Sequence, residues 1–306
     1  MLKVSLIIPI YNEEGSLLEL YAAIKKAVRS FHEIIFINDG SSDNSLNLMK
    51  ELVTTDQRVK VISFRRNLGK AMALNRGFEK AEGDIIVTLD GDLQDDPENI
   101  PLLIEKINEG YDLVVGWKKK RNDPKNKTIP SKFFNFFVKS ISKINLHDFN
   151  SGLKVMKKDV AKELILYGEL HRFIPVLAYQ LGFKVTELPI THYPRKFGVS
   201  KYGWDRFFKG FFDFLTVIFI DKFSQRPLHF FGLIGSVGIL IGFVLGIYLS
   251  VLHFEGIAIS RRPLLILSVL LIVAGLQMLS IGLIAEIIIR KSNSSKIQLP
   301  IDYETR

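Results

Sequence analysis

The chain has 306 residues, 47% of them hydrophobic, a formal net charge of +9 and no cysteine. That length allows one large domain with a sizeable core, and the missing cysteines exclude a disulfide framework and a thiolate metal site. The charge alone would suit a nucleic-acid surface, but the cations are interleaved with phenylalanines beside apolar runs, where they meet anionic lipid headgroups instead, so no nucleic acid is expected.

Val4–Ile10 is a continuous apolar run, as in a parallel strand covered on both faces. No signal peptide is expected, because Met1–Ile10 is too short and acidic residues follow it, so the soluble part is placed in the cytoplasm. Ser16–Val28 carries Leu17, Leu20, Tyr21, Ile24 and Val28 at helical spacing. Glu33–Ile37 is a second strand, ending at Asn38-Asp39-Gly40, and Ser42 or Asp43 caps a helix through Leu52. Val59–Phe64 is a third strand, followed by a helix from Gly69 to Ala81. Asp84–Leu89 is a fourth, ending at Asp90-Gly91-Asp92, and a helix over Pro97–Asn108 and a strand at Asp112–Val115 follow. This alternation predicts an α/β fold with a mostly parallel sheet and helices on both faces, its ligand site beyond the carboxyl ends of the strands.

The character then changes. Lys118–Lys132 is basic, polar and contains prolines, which reads as a loop. Over Lys132–Ile144, Phe133, Phe136, Phe137, Ile141 and Ile144 form one helical stripe and Lys132, Lys139 and Lys143 another. Trp204, Phe207, Phe208, Phe211, Phe212 and Leu215 repeat the pattern beside Arg206 and Lys209. Both segments suit amphipathic helices in the headgroup plane, the alternative being core helices with charged outer faces. Phe230–Leu252 and Leu264–Ala285 contain no charge, and at about 1.5 Å of rise per residue each spans the ~30 Å hydrocarbon core of a bilayer. Lys222 and Arg226 before this hairpin, and Arg290, Lys291 and Lys296 after it, agree with a cytoplasmic head, while Arg261 and Arg262 run against it. The expected division is a catalytic domain over 1–203, with an amphipathic helix near 131–145, an interfacial helix over 204–226, two membrane helices over 227–290 and a tail over 291–306.

Asp90-Gly91-Asp92 carries the sharpest chemical signal. Two carboxylates after an apolar strand, with a small residue between, can hold magnesium or manganese against a diphosphate. Asp39 follows a strand in the same way and would accept from a base or ribose hydroxyl, or else cap the next turn. Pro9, Tyr11, Asn12 and Glu13 end the first strand, where they could line a nucleobase pocket.

Pro9-Ile10-Tyr11-Asn12-Glu13, Asn38-Asp39-Gly40-Ser41-Ser42-Asp43 and Asp90-Gly91-Asp92-Leu93-Gln94-Asp95 together resemble family 2 glycosyltransferases, more narrowly the polyprenyl-phosphate glycosyltransferases related to dolichol-phosphate mannose synthase. His147–Gly152, Glu169–Phe173 and Arg195–Tyr202 are similar to the bacterial members that load a sugar onto undecaprenyl phosphate and end in a two-helix hairpin. The resemblance covers nearly the whole chain, in order. It implies a GT-A-like nucleotide-sugar domain, a location at the bacterial inner membrane, and inverting transfer from a UDP-sugar, with glucose the best match, to a polyprenyl phosphate. It implies nucleotide and donor contacts by Pro9, Tyr11, Asn12, Glu13, Asp39, Asp90 and Lys118, and metal contacts by Asp92, Gln94 and Asp90. Arg195 and Lys201 would bracket the phosphates, with Ser200, His171 and Arg172 on the acceptor side; a structural role is the alternative for His171. Asp148 matches the position usually nominated as base. The acceptor is already largely a dianion at neutral pH, since the second pKa of a phosphate monoester is about 6, so Asp148 is expected mainly to orient Arg or Lys groups. The resemblance also implies a homo-oligomer as a possible state, since the members it is similar to can form tetramers. A processive polysaccharide synthase and a non-catalytic nucleotide-sugar sensor are the rival readings. The first would need more membrane helices and a Gln-x-x-Arg-Trp motif that Gln225-Arg226 does not make; the second would lack Asp90 and Asp92.

Overall fold

A computed structural model describes residues 2–28, 30–119, 135, 138, 139, 144–194, 196, 227–257 and 263–293. The helix expected over Lys132–Ile144 lies outside these apart from Asn135, Val138, Lys139 and Ile144, and the helix from Trp204, with Arg195, Ser200 and Lys201, lies wholly outside them. The chain divides into two compact units, Met1–Phe214 and Leu215–Arg306.

The first unit alternates as expected through β1 (Val4–Ile10), α1 (Glu14–Ala27), β2 (Glu33–Asn38), α2 (Ser45–Thr55), β3 (Val59–Ser63), α3 (Lys70–Lys80), β4 (Ile85–Thr88), a 3-10 turn at Pro97–Asn99, α4 (Ile100–Asn108) and β5 (Leu113–Trp117). It continues with β6 (Lys154–Lys157), α5 (Lys158–Glu163), a 3-10 turn at Leu170–Phe173, α6 (Ile174–Gln180) and β7 (Val185–Pro189), none of which the apolar periodicity announces. The seven strands form one sheet in the order β3-β2-β1-β4-β6-β5-β7. It is mostly parallel, and β6 is the exception, inserted antiparallel between β4 and β5. The cap of α2 also differs from expectation. Asn44 holds the cap position without a side-chain bond, and Asp43 instead accepts from the Ser45 and Glu14 N–H groups, tying α2 to α1.

The two faces of the sheet are covered separately. Leu6, Ile8, Ile10, Ile34, Phe36 and Val87 join Leu17, Leu20, Ile24, Met49 and Leu103 of α1, α2 and α4 in one core, each large side chain contributing about 1.5–3 kcal/mol by burial. On the opposite face α3 packs so closely that a Cβ at Gly77 would stand 2.3 Å from Ile7 Cγ2. β1 lies between β2 and β4, so the crossovers leave it in opposite directions, and the crevice beyond its carboxyl end is the switch point where such sheets bind ligands.

A second polar knot pins α1 to the α2–β3 turn. Asp56 accepts from the Arg58 guanidinium at 2.8 and 3.0 Å and from Tyr21 Oη at 2.8 Å. The arginine bonds hold its carboxyl well below the usual carboxylate range, and burial with Asp56 pushes the Tyr21 hydroxyl up to about 12. A carboxylate depressed in the folded state stabilises above its unfolded pKa and loses that contribution as pH falls through its folded one. Asp56→Asn should therefore cost about 1–2 kcal/mol at pH 7, a deficit that fades below about pH 4, read by denaturant unfolding at both pH values.

The second unit is a pair of helices, α7 (Pro227–Phe254) and α8 (Pro263–Asn293), each opening on a proline whose missing N–H costs nothing at a helix start. Both are long and apolar enough to cross a membrane, and outward side chains such as Leu233, Phe243, Ile266 and Ile287 stay exposed, a surface matched to lipid. Where they meet, Cβ atoms at Gly235 and Gly275 would stand 2.6 and 2.5 Å from the carbonyl oxygen of the other glycine, and Ser268 Oγ donates to Gly242 O at 2.8 Å. Small residues allow this approach, which suits helix packing in lipid. α8 runs to Asn293, past the expected boundary at 290, since Arg and Lys are good helix formers.

Candidate active site

The residues after β1, β2 and β4 converge at the switch point. Asn12 takes a left-handed backbone, φ 52°, stabilised because its Oδ1 accepts from Ser42 N at 2.8 Å while its N–H donates to Ser41 Oγ at 3.0 Å. Glu13 N donates to Ser45 Oγ. Asn12 thus organises the β1 and β2 loops. Tyr11 stays exposed and Pro9 is half-buried.

Asp39 is 4% exposed and accepts from Leu68 N at 2.7 Å and Gly69 N at 3.0 Å. Burial pushes its pKa up, and these two bonds oppose that. Both oxygens clasp the segment leading into α3, an arrangement closer to the capping alternative than to a base contact alone. The next residue, Gly40, has φ 68°, and a Cβ there would lie 2.4 Å from the Arg66 carbonyl carbon, so only glycine lets the two loops touch.

That clasp sets Lys70, the first residue of α3, whose ammonium meets Asp90 Oδ1 at 2.5 Å. Burial raises the Asp90 pKa, but Lys70 and Lys118 outweigh it and hold the group ionised. A Cβ at Gly91 would lie 2.6 Å from Ile10 Cδ1, so the end of that buried side chain would have to shift, and the Gly91 carbonyl accepts from Ser16 Oγ. Leu93 is left-handed at φ 58°, an uncommon conformation for a branched residue and one that clusters at functional sites. Asp92 Oδ1 accepts from Gln94 N at 3.2 Å, and Gln94 Nε2 donates to Tyr193 O at 3.4 Å.

A second tier lies beneath. Asp95, with its side chain 1% exposed, holds Lys118 Nζ at 2.9 Å and pairs with His192 Nδ1 at 2.9 Å. Burial opposes its charge, yet Lys118 and His192 keep its carboxyl below the usual range. Lys154 is 4% exposed on β6 and donates to Ser151 O. Burial, with Lys70 and Lys118 nearby, pushes its ammonium down to about 7 against the opposing pull of Asp90 and Asp148. Asp148 is 1% exposed, within electrostatic reach of Lys118 and Lys154. Gly152 packs against Asp90, and its carbonyl accepts from Thr88 Oγ1. His171 and Arg172 are buried in the 3-10 turn Leu170–Phe173, where Arg172 pairs with Glu169 at 2.7 Å.

Of the residues singled out from sequence, Tyr11, Asn12, Glu13, Asp39, Asp90, Asp92 and Gln94 lie beyond the ends of the parallel strands, Pro9 lies within the last residues of β1, and Lys118 and Asp148 are in electrostatic reach of Asp90 or of its neighbours. Arg195, Ser200 and Lys201 lie outside the described residues. Lys70, Asp95, Gly152, Lys154 and His192 were missed. Asp95, next to Gln94, and Gly152, the last residue of the His147–Gly152 motif, had a sequence signal within reach.

Among the described residues no three His, Asp or Glu side chains gather into a metal cage. Asp90, Asp92 and the Gln94 amide are instead an oxygen set that fits a hard cation taking its other ligands from a phosphate and water.

A family model described as Glycosyl transferase family 2 matches residues 5–165. The dodecaprenyl-phosphate galacturonate synthase of Rhizobium johnstonii is 36% identical, over 94% of this chain and 88% of that protein. The undecaprenyl-phosphate 4-deoxy-4-formamido-L-arabinose transferases of Shewanella sediminis and Proteus mirabilis are 36% and 32% identical, over 93% and 95% of this chain and 86% and 90% of theirs. The fold is shared with glucosyl-3-phosphoglycerate synthase from Mycobacterium tuberculosis. Its complex with phosphoglyceric acid aligns at TM-score 0.56 and 16% identity over 72% of this chain and 80% of that one. Its complex with Mn2+, uridine-diphosphate and phosphoglyceric acid aligns at 0.52 and 17% over 65% and 72%. Strand order, GT-A-like fold, family match and near full-length relatives converge on one assignment: the chain is a glycosyltransferase that belongs to family 2, in its polyprenyl-phosphate branch.

Proposed function

We propose that the chain transfers a sugar from a UDP-sugar to a polyprenyl phosphate such as undecaprenyl phosphate, with inversion, at the cytoplasmic face of a bacterial inner membrane. The observation that carries this reading is the interleaving of three carboxylates, Asp90, Asp95 and Asp148, with three ammonium groups, Lys70, Lys118 and Lys154, at the carboxyl end of β4. Such a site, loaded with a divalent cation, would set positive groups beside a diphosphate and an attacking phosphate.

An acceptor phosphate oxygen would attack the anomeric carbon as the bond to the nucleoside diphosphate breaks on the opposite side, giving a phosphosugar of inverted anomeric configuration and no sugar–enzyme intermediate. Asp90, Asp92 and Gln94 would hold magnesium or manganese, which offsets charge on the departing diphosphate. Lys70 and Lys118 would turn from their carboxylates toward the phosphates. Asp148 would steady Lys118 and Lys154 rather than remove a proton. Arg195, Ser200, Lys201, His171 and Arg172 are proposed for the acceptor side. The two apolar helices suit a lipid acceptor, as do the relatives' names. Those names specify galacturonate and 4-deoxy-4-formamido-L-arabinose, so the expectation of glucose has no support from them.

The test is transfer of labelled sugar into organic-extractable lipid by the full chain in detergent with undecaprenyl phosphate. UDP-glucose, UDP-galacturonate and UDP-4-deoxy-4-formamido-L-arabinose are compared, with Mn2+, Mg2+ or EDTA. A metal-dependent lipid phosphosugar from one of them, with anomeric configuration opposite to the donor's, is the expected product. A soluble polymer, or bound UDP with no transfer from any donor, would overturn the proposal.

A further inference from the structure

β7 carries a carboxylate that the transfer scheme leaves unused. Glu187 lies opposite Val115 in the β5–β7 register, and its side chain is 11% exposed. Nothing basic on its own strand accounts for it. Its Oε2 accepts from His147 N at 2.7 Å and Asp148 N at 3.4 Å, while Oε1 pairs with His147 Nδ1. Trp117, two residues further along β5, stacks on the same imidazole with centroids 4.2 Å apart and planes 17° from parallel. On the other side Asn135 Nδ2 donates to His147 O at 2.9 Å, and Asn135 Oδ1 accepts from Phe149 N at 3.4 Å. Two backbone N–H groups and one imidazole nitrogen, from two consecutive residues, thus converge on one nearly buried carboxylate. The residue they precede along the chain is Phe149, fully buried, and the turn continues to Gly152 against Asp90.

We propose that Glu187 is a positioning residue for sugar transfer: with the Trp117 ring it clamps His147, and through it fixes where the Asp148 carboxylate points. A carboxylate that collects backbone N–H groups orients a turn much as a cap orients a helix end. The turn it orients carries Asp148, whose Oδ1 accepts from Asn150 N at 3.3 Å and whose carboxylate is in electrostatic reach of both Lys118 and Lys154. The inference rests on the reading above that Asp148 works at the transfer site.

A double-mutant cycle tests it, using the full chain in detergent and single-turnover transfer to undecaprenyl phosphate. Glu187→Gln keeps the size and one acceptor but loses the charge and the pairing with His147. It should lower kcat about 10-fold, leave the donor KM within about 2-fold, and keep metal-dependent UDP binding and the melting temperature near wild type. In an Asp148→Asn background the same change should cost almost nothing, because residues acting as a unit are non-additive. Trp117→Leu removes the stacking face instead and should show the same dependence on Asp148, which keeps the test open if one variant folds poorly. Losses that multiply in the double mutant overturn the clamp, and so does a fall in activity matched by falls in UDP binding and melting temperature. A wild-type rate in Asp148→Asn itself marks the failure of the transfer reading, and the clamp falls with it.

Discussion

Gly152→Ala is expected to slow transfer by about 10²–10³-fold while the protein stays folded. A Cβ at this position would stand 2.4 Å from Asp90 Cγ, 2.4 Å from Oδ2 and 2.8 Å from Oδ1, so it overlaps the whole carboxylate rather than one edge of it. The turn cannot easily retreat, because the Gly152 carbonyl is held by Thr88 Oγ1 at 2.9 Å and β6 begins two residues on at Lys154, between β4 and β5. The carboxylate must swing instead, and its contact with Lys70 at 2.5 Å goes with it. Gly152 is not among the positive-φ residues, so alanine meets no backbone strain there and the melting temperature should fall by only a few degrees. Single-turnover rates beside thermal melts decide the matter. A rate within about threefold of wild type would mean that the aim of Asp90 is not part of the chemistry.

The parts of this site that were legible in the sequence share one property: they follow long apolar runs. Asp39 and Asp90-Gly91-Asp92 sit where a buried strand stops, and the stop is visible as a change in composition. The small residue between the aspartates was visible too, though the reason for it, the approach of Ile10, was not. β6 gave no such signal. Its four residues begin and end with lysine, and burying Lys154 in the middle of a sheet contradicts the pattern by which strands are found. The rest of the site depends on pairs far apart in the chain. Lys70 meets Asp90 across twenty residues, and Thr88 meets Gly152 across sixty-four. Lys70 follows a glycine and looks like any exposed start of a helix until the Asp39 clasp brings it round. Asp95 could be read as one more turn residue until Lys118 and His192 are seen to share it. Local chemistry marks where a strand ends; it does not say which distant side chain arrives there.

Asp39 carries the other large expected effect, and for a reason that differs from the base contact its position suggests. Asparagine is nearly the same shape, but it turns one of the two accepting oxygens into an NH2 group. Leu68 N and Gly69 N, now bonded at 2.7 and 3.0 Å, cannot both be satisfied, and one donor is left facing another at a site only 4% exposed. An unsatisfied buried donor costs about 1–3 kcal/mol, and the loop can relieve it by opening away from β2. Lys70 follows immediately, so the opening withdraws the ammonium that neutralises Asp90. Asp39→Asn should therefore weaken metal-dependent UDP binding about 10- to 100-fold and lower the rate at saturating donor as well. If Asp39 served only a base or ribose hydroxyl, the binding loss would appear without a change in kcat. Lys70→Met separates the two. With the ammonium already gone, Asp39→Asn should add little to the loss in kcat if the clasp works by placing Lys70, and its full effect if it does not.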